Sequence, residues 1–397
     1  MKNTTHLINE MQEPLEILIK NGALPPIDSA AFGSFLNHNI EISNIEAKNI
    51  IKNFMNYNPF FTSILNTCLG RIGLITLPIL YEEIYLDNYL IDYIKKGITL
   101  SRTLGAKCIS LTDLIPSATN YGNNIDISEN EDVLLSTGHA VTVSAMVLNI
   151  DNVLALTRRR IQDETIAFVG VGSIGSGTLD LILSVLKHPR KIILCDVFNK
   201  QQELKKIYER VVNFHNFKGE ISIVNPTGLE MPRLIYQEAN IIIGATNIPN
   251  IVVTSMLKPG TIIVDDSYPY IFDVESCLER VSKTNDIIVM HGGILTLPKP
   301  ATLLIDYRLK KYSEHESISS DYKSEVMGCI LGSILPLIDN RLLPTLGILK
   351  PEIAVLYYEV LKKKGIKGSS LQCAHYHYSK IDIEKFSQIG VQKAPSS

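Results

Sequence analysis

No two of the six cysteines, at positions 68, 108, 195, 277, 329 and 373, form a C-x-x-C pair. That absence excludes zinc-ribbon and thioredoxin spacings. In a chain of 397 residues, such scattered thiols fit a reducing compartment. An excess of one charge is also lacking. There are 38 basic and 41 acidic residues, so no nucleic-acid partner held through its phosphates is expected. No apolar run reaches the ~18 residues of a membrane span. The first twenty residues carry Glu10, Glu13 and Glu16 where a leader would need an apolar core. A cytoplasmic location is therefore the expectation. There is no internal repeat and no low-complexity tract.

What is present is globular: 45% of residues are hydrophobic and 20% charged, in a chain long enough for two or three cores. Two short basic runs, Arg158-Arg159-Arg160 and Lys362-Lys363-Lys364, read as solvated helix ends, although a patch for an acidic carrier protein stays open.

The N-terminal third predicts a strand over 72–80, a helix over 81–96 stopping at Gly97, a strand over 108–111 and a loop over 116–130. Ser136-Thr137-Gly138-His139 then opens a helix running to about 160. Strands and helices alternate from there. Strands are expected over 165–169, 191–196, 221–224, 241–243, 261–264 and 287–289, and helices over 176–186 and 201–213. Continuous Ile/Val runs of this kind are strands buried on both faces, hence a parallel, doubly wound α/β sheet. After about 300 the pattern turns helical, over 321–338, over 351–363 and from 382. The expected organisation is an N-terminal α/β substrate region (1–130), a dinucleotide-binding Rossmann domain (131–300) and a C-terminal helical region (301–397).

The strand over 165–169 runs directly into Gly170-Val171-Gly172-Ser173-Ile174-Gly175, and a helix follows. Glycines there let the backbone turn tightly and approach a pyrophosphate. The helix N-terminus then offers unpaired N–H groups and the positive end of its dipole. Asp196 ends the second strand, where a carboxylate accepts from the adenosine ribose hydroxyls and repels a 2′-phosphate. On its own it favours NADH, and Lys200 lies near enough to blur that preference. Ala245, Thr246 and Asn247 follow Gly244 at another strand end and fit the crevice for the nicotinamide half. The run from Phe168 to Asn199, with Cys195-Asp196-Val197-Phe198-Asn199 after the second strand, also resembles the ATP-binding half of ubiquitin-activating-type adenylyltransferases. Those enzymes need an Asn-Leu-Asn-Arg-Gln-type stretch and usually paired cysteines, whereas here the chain reads Lys200-Gln201-Gln202-Glu203-Leu204.

Cys329 stands in Ser324-Glu325-Val326-Met327-Gly328-Cys329-Ile330-Leu331-Gly332-Ser333, on an expected helical stripe with Val326, Ile330, Ser333, Ile334 and Leu337. Gly328 and Gly332 each weaken a helix by about 1 kcal/mol relative to Ala and would leave space around the thiol. A buried core cysteine is the alternative reading. Cys373, His375 and His377 alternate, so an extended segment would set them on one face. A plain surface strand is expected there, with no metal site.

The order of these landmarks resembles the cyanobacterial-type, aldehyde-forming fatty acyl-carrier-protein reductases, over roughly residues 65–390. Thr137-Gly138 opens the helix before the nucleotide domain, and the glycine turn follows. Val264-Asp265-Asp266-Ser267-Tyr268-Pro269 is similar to the family's Asp-Gly-Gly-Tyr-Pro. His291-Gly292-Gly293 is similar to its Asn-Gly-Gly, and Ile383-Glu384-Lys385 recurs near the end. The resemblance implies that Cys329 takes the acyl group of a carrier-protein or coenzyme-A thioester as a thiolate nucleophile. An acyl-enzyme would then be reduced to an aldehyde with NADPH or NADH. His139 and His291 become candidate proton donors, and the backbone near Gly292-Gly293 and 137–139 candidate oxyanion donors. The chain departs from the family in three ways. Val141 stands where the family turn carries its histidine. Asp196 replaces a small residue with no arginine after it, and Ser267 replaces a glycine. A non-catalytic dinucleotide sensor with an inert Cys329 is the remaining reading.

Overall fold

The computed structural model describes residues 13–35, 43–128, 132–196, 200–226, 230–312 and 324–391. They form two compact units, Met1–Gly138 with Leu297–Gly347, and His139–Thr296 with Ile348–Ser397. The residues from 301 on therefore do not stand as a third, helical part. Thr302–Ile305 is a strand that extends the first sheet, and Pro351–Lys363 packs on helices of the second unit. A hydrophobic pattern shows that a segment is buried, not which unit buries it.

The first unit is built on a six-stranded mixed sheet. Its strands are β1 (Ser29–Phe35), β2 (Phe60–Thr67), β3 (Gly70–Leu80), β4 (Cys108–Leu111) and β5 (Leu134–Ser136). The order is Thr302–Ile305, β2, β3, β1, β4, β5. β3, β1, β4 and β5 run parallel, whereas β2 pairs antiparallel with both of its neighbours. One apolar core, including Phe32, Phe61, Ile64, Ile94 and Ile109, lies against it. Residues 81–96 do not form the expected helix. Tyr81–Glu83 is a short 3₁₀ turn and the helix is Leu90–Thr103. It runs through Gly97, where a side chain would meet the ring of Phe32 at 3.0 Å. There the glycine marks a close approach instead of a helix end.

The second unit carries β6 (Thr165–Val169), β7 (Lys191–Cys195), β8 (Glu220–Val224), β9 (Ile241–Gly244), β10 (Thr261–Asp265) and β11 (Ile287–His291). All are parallel neighbours in the order β8-β7-β6-β9-β10-β11. This is the doubly wound Rossmann order, with its topological switch between β6 and β9. Every residue of β6, β7, β9 and β10 is buried, as the unbroken Ile/Val runs require, while the edge strand β8 is half-exposed. Helix His139–Leu156 is apolar all round and packs against Ser173–Val185 and Pro351–Lys363. It is long and apolar enough to cross a membrane, which the sequence reading did not anticipate, but 78% of it is buried inside the protein, as in a core helix.

One basic position also differs from expectation. Arg159 is not solvated. It is half-buried and forms an ion pair with the buried Glu164, with Nε–Oε1 2.9 Å, and donates to the Gly260 carbonyl at 2.8 Å. Arg160 pairs with Asp163 at the surface.

Candidate functional site

The glycine turn sits where β6 meets helix Ser173–Val185, beside the end of β9. Gly170 has φ +88°, and a Cβ on it would lie 2.3 Å from the Ala245 carbonyl oxygen. A Cβ on Gly175 would lie 2.0 Å from the Gly170 carbonyl oxygen. Only glycine permits this fold of the chain. Gly172 precedes the helix with no side chain to cap it, so the first-turn N–H groups of Ser173, Ile174 and Gly175 are left for an incoming acceptor. A cradle that side chains would fill, at the positive end of a 13-residue helix, fits a pyrophosphate.

Asp196 is buried at the end of β7 and accepts the Val171 N–H at 2.8 Å. Lys200 approaches the same carboxylate at 3.1 Å. The acid therefore braces the glycine turn and carries a cation beside it, which offsets its repulsion of a 2′-phosphate. Val197, Phe198 and Asn199, part of the adenylyltransferase-like segment, lie outside the described residues. At the end of β9, Ala245 N–H donates to the Val169 carbonyl at 2.9 Å and Thr246 N–H to Ser267 Oγ at 3.0 Å, while Asn247 is exposed. Ser267, read from the sequence only as a departure, thus fixes the strand-end turn.

The two candidate histidines lie in different settings. His139 is the first residue of its helix and is buried, with Nδ1 3.0 Å from Ser173 Oγ. His291 ends β11, and its Nδ1 accepts the Gly293 N–H at 3.0 Å, which leaves the ring proton of the neutral form on Nε2. Burial pulls both down to about 4, so both are uncharged at neutral pH. The Gly292 N–H is also taken, by the Asp265 carbonyl at 2.8 Å. Thr137 N–H goes to the Thr345 carbonyl at 2.8 Å, and Gly138 N–H to Ser136 Oγ at 3.3 Å. The N–H groups of Thr137, Gly138, Gly292 and Gly293 are thus already engaged within the protein.

Two residues that pattern reading missed organise this end of the sheet. Asn149, wholly buried, donates to the Gly292 and Ile294 carbonyls at 2.7 and 2.8 Å and accepts the Ser369 N–H at 2.8 Å. A buried amide inside an apolar helix was the available signal. Asp266 follows β10, and burial beside the Asp265 carboxylate pushes it up to about 8.

In the first unit, Cys329 is half-buried and belongs to a single helical turn, Gly328–Leu331, after the short strand Glu325–Met327. The continuous helix expected over 321–338 is not formed, and Asp321, Tyr322 and Lys323 lie outside the described residues. Gly332 does not open space either. A Cβ there would stand 2.6 Å from Gly138 Cα and 2.9 Å from Ser110 Oγ. Ser110 donates to the Cys329 carbonyl at 2.7 Å. The cysteine backbone is therefore clamped by Ser110, Gly138 and Gly332. Burial pushes the Cys108, Cys195 and Cys373 thiols up to about 12, which makes them inert, and raises Cys277 as well.

Cys373, His375 and His377 do not share a face. Gln372–Cys373 and Tyr376–His377 are two arms of a tight hairpin turning at Ala374, φ +49°, with Cys373 buried and both histidines exposed. Among the described residues no group of three or more His, Cys, Asp or Glu is placed to hold a metal ion.

No family model matches the sequence, and no curated protein matches it. Solved structures do. L-tryptophan dehydrogenase from Nostoc punctiforme is 13% identical over 94% of this chain and 90% of its own, with a TM-score of 0.39. Shikimate 5-dehydrogenase from Listeria monocytogenes, in complex with shikimate and NAD, is 12% identical over 66% of this chain and 86% of its own, with a TM-score of 0.33. Δ1-pyrroline-2-carboxylate reductase from Thermococcus litoralis, in complex with NADH and L-proline, is 18% identical over 32% of this chain, with a TM-score of 0.25. This chain spans 36% of that last protein's length. With every one of these TM-scores below 0.5, the functional reading rests on this chain's own residues.

Proposed function

We propose that the protein is an NAD(P)H-dependent reductase that converts an acyl thioester, on a carrier protein or coenzyme A, into an aldehyde through an acyl-enzyme on Cys329. The observation that carries the dinucleotide half is the Gly170–Gly175 cradle at the switch point of a sheet in Rossmann order. The cofactor's phosphates would rest on the N–H groups of Ser173, Ile174 and Gly175. Its adenosine ribose would meet Asp196 and Lys200, and its nicotinamide half the strand end at Ala245, Thr246 and Asn247. When bound, it supplies a hydride.

The chain's own residues do the rest. Cys329 as thiolate attacks the thioester carbonyl carbon. The bond to the carrier sulfur breaks, and the carrier thiol leaves with a proton. Once the acyl carbon has been reduced, the C–Sγ bond breaks, aldehyde departs and the Cys329 thiol is restored. Clamping by Ser110, Gly138 and Gly332 supports this role because it fixes the backbone of a cysteine that is half-buried and not enclosed in the core.

The test is turnover. With a long-chain acyl thioester and NADPH or NADH, the protein should form one aldehyde per nucleotide oxidised, and Cys329→Ala should form none. Pyrophosphate release from ATP without aldehyde would establish the adenylyltransferase in its place. Nucleotide binding with no turnover would leave the sensor.

A further inference from the structure

Three side chains of the second unit meet where β10 and β11 end. Asp265 is wholly buried and structurally committed: its carboxylate accepts the Ser267 N–H at 2.9 Å and the Ile271 N–H at 2.8 Å. Asp266 differs. Its backbone N–H donates to the Gly244 carbonyl at 3.0 Å, which fixes the residue across the carboxyl ends of β9 and β10. Its Oδ1 lies 2.1 Å from the point a Gly293 Cβ would occupy, and His291 Cε1 lies 3.3 Å from that same point. Gly293 thus gives up a side chain so that a carboxyl and an imidazole can approach over one Cα. Among the described residues nothing hydrogen-bonds the Asp266 carboxyl.

We propose that Asp266 is the proton donor to the carbonyl oxygen reduced in this site. The inference rests on the thioester-reductase reading above. The location supports it, because ligands of open α/β sheets bind outside the carboxyl ends of the strands, beside the switch point. The electrostatics agree. The titratable groups facing Asp266 are Asp265, His291, Tyr270 and, through Tyr270, Cys373. Burial keeps the imidazole, the phenol and the thiol uncharged, so none supplies a cation. Asp265 adds negative charge, and Asp266 therefore holds its proton up to about pH 8. The two histidines are neutral with pKa near 4, so neither carries an imidazolium proton to give at pH 7. A protonated carboxyl near the working pH is the better acid.

The proton balance is closed. When the carbonyl carbon accepts a hydride, the C=O π pair forms an O–H bond with the Asp266 proton, leaving Asp266 ionised. In the thioester reaction Asp266 takes that proton back as the C–Sγ bond breaks and C=O re-forms. The departing thiolate then takes the single net proton from solvent.

The test compares the wild-type protein with Asp266→Asn, which is nearly isosteric. Infrared spectra of the ligand-free proteins read protonation directly. A protonated-carboxyl band is expected at pH 7 in the wild type, lost above about pH 9 and absent from the variant. Single-turnover reduction of an acyl thioester from pH 6 to 10 reads the role. The wild-type rate should fall above about pH 8. The variant should be about 100-fold slower without that limb, while its NADPH affinity stays the same. Absence of the band, or a variant with wild-type rate and pH limb, overturns the proposal even if reduction proceeds. A wild-type protein that shows the band and binds NADPH but reduces no thioester instead overturns the thioester reading and, with it, the donor role.

Discussion

Gly138 and Cys329 are in backbone contact: a Cβ on Gly138 would stand 2.7 Å from the Cys329 carbonyl oxygen and 3.0 Å from its Cα. Gly138 also has φ +70°. Gly138→Ala meets both penalties, the left-handed backbone at ~1–2 kcal/mol and the overlap at ~1–3 kcal/mol. The variant should lose about 2–4 kcal/mol of stability by urea titration. Its Cys329 should also react with a thiol reagent at a changed rate, measured against the wild-type protein.

Lys200 and Asp196 set the nucleotide preference together. Removing the cation leaves a buried carboxylate facing any 2′-phosphate. Lys200→Ala should weaken NADPH binding about tenfold, near 1.4 kcal/mol, and leave NADH within a factor of two to three. Titration of both nucleotides by fluorescence checks it. Equal weakening for the two would show that Lys200 does not face the 2′ position.

His139 makes stability depend on pH in a defined window. Its folded pKa, about 4, lies below the ordinary 6.5, so its contribution is fully present above pH 6.5 and is lost as pH falls towards 4. His139→Gln should flatten the fall in thermal midpoint between pH 6.5 and 4. Asp266 acts in the opposite direction. Its folded pKa, about 8, lies above the ordinary 3.8, so ionising it weakens the fold as pH rises between those values. Asp266→Asn should accordingly be stabilised at pH 8.5 and gain little at pH 4. A variant that gains equally at both pH values would contradict the protonated carboxyl.

Asn149 ties its own helix to the Gly292 turn and to Ser369. Asn149→Ala strands two carbonyls and an N–H in the interior, for a loss of about 2–4 kcal/mol by denaturant titration. A loss below about 1 kcal/mol would mean that water replaces the amide.

Much of the second unit was legible in the chain. Runs such as Ile241-Ile242-Ile243 admit only a strand covered on both faces, and the glycine turn needs little beyond its own neighbours to be recognised. The strands over 165–169 and 108–111 and the helices over 201–213 and 351–363 have the bounds their patterns predict. The surroundings of Cys329 were not legible, because they are made by tertiary contact. Gly332 is small to admit Gly138, some 190 residues earlier, and no periodicity reports that. Asp266 was passed over for a related reason. An aspartate after a strand is ordinary in sequence, and only the absence of a hydrogen-bond partner for its carboxyl among the described residues, beside Gly293, sets it apart from Asp265. The histidines drew attention by residue type, but burial leaves them uncharged.

The central claim is that Cys329 carries the acyl group, and intact mass measures it most directly. After incubation with a long-chain acyl thioester and no nucleotide, the wild-type protein should gain the mass of one acyl group, and Cys329→Ala should gain none. An unmodified wild-type mass, or an adduct that persists in Cys329→Ala, would contradict the account.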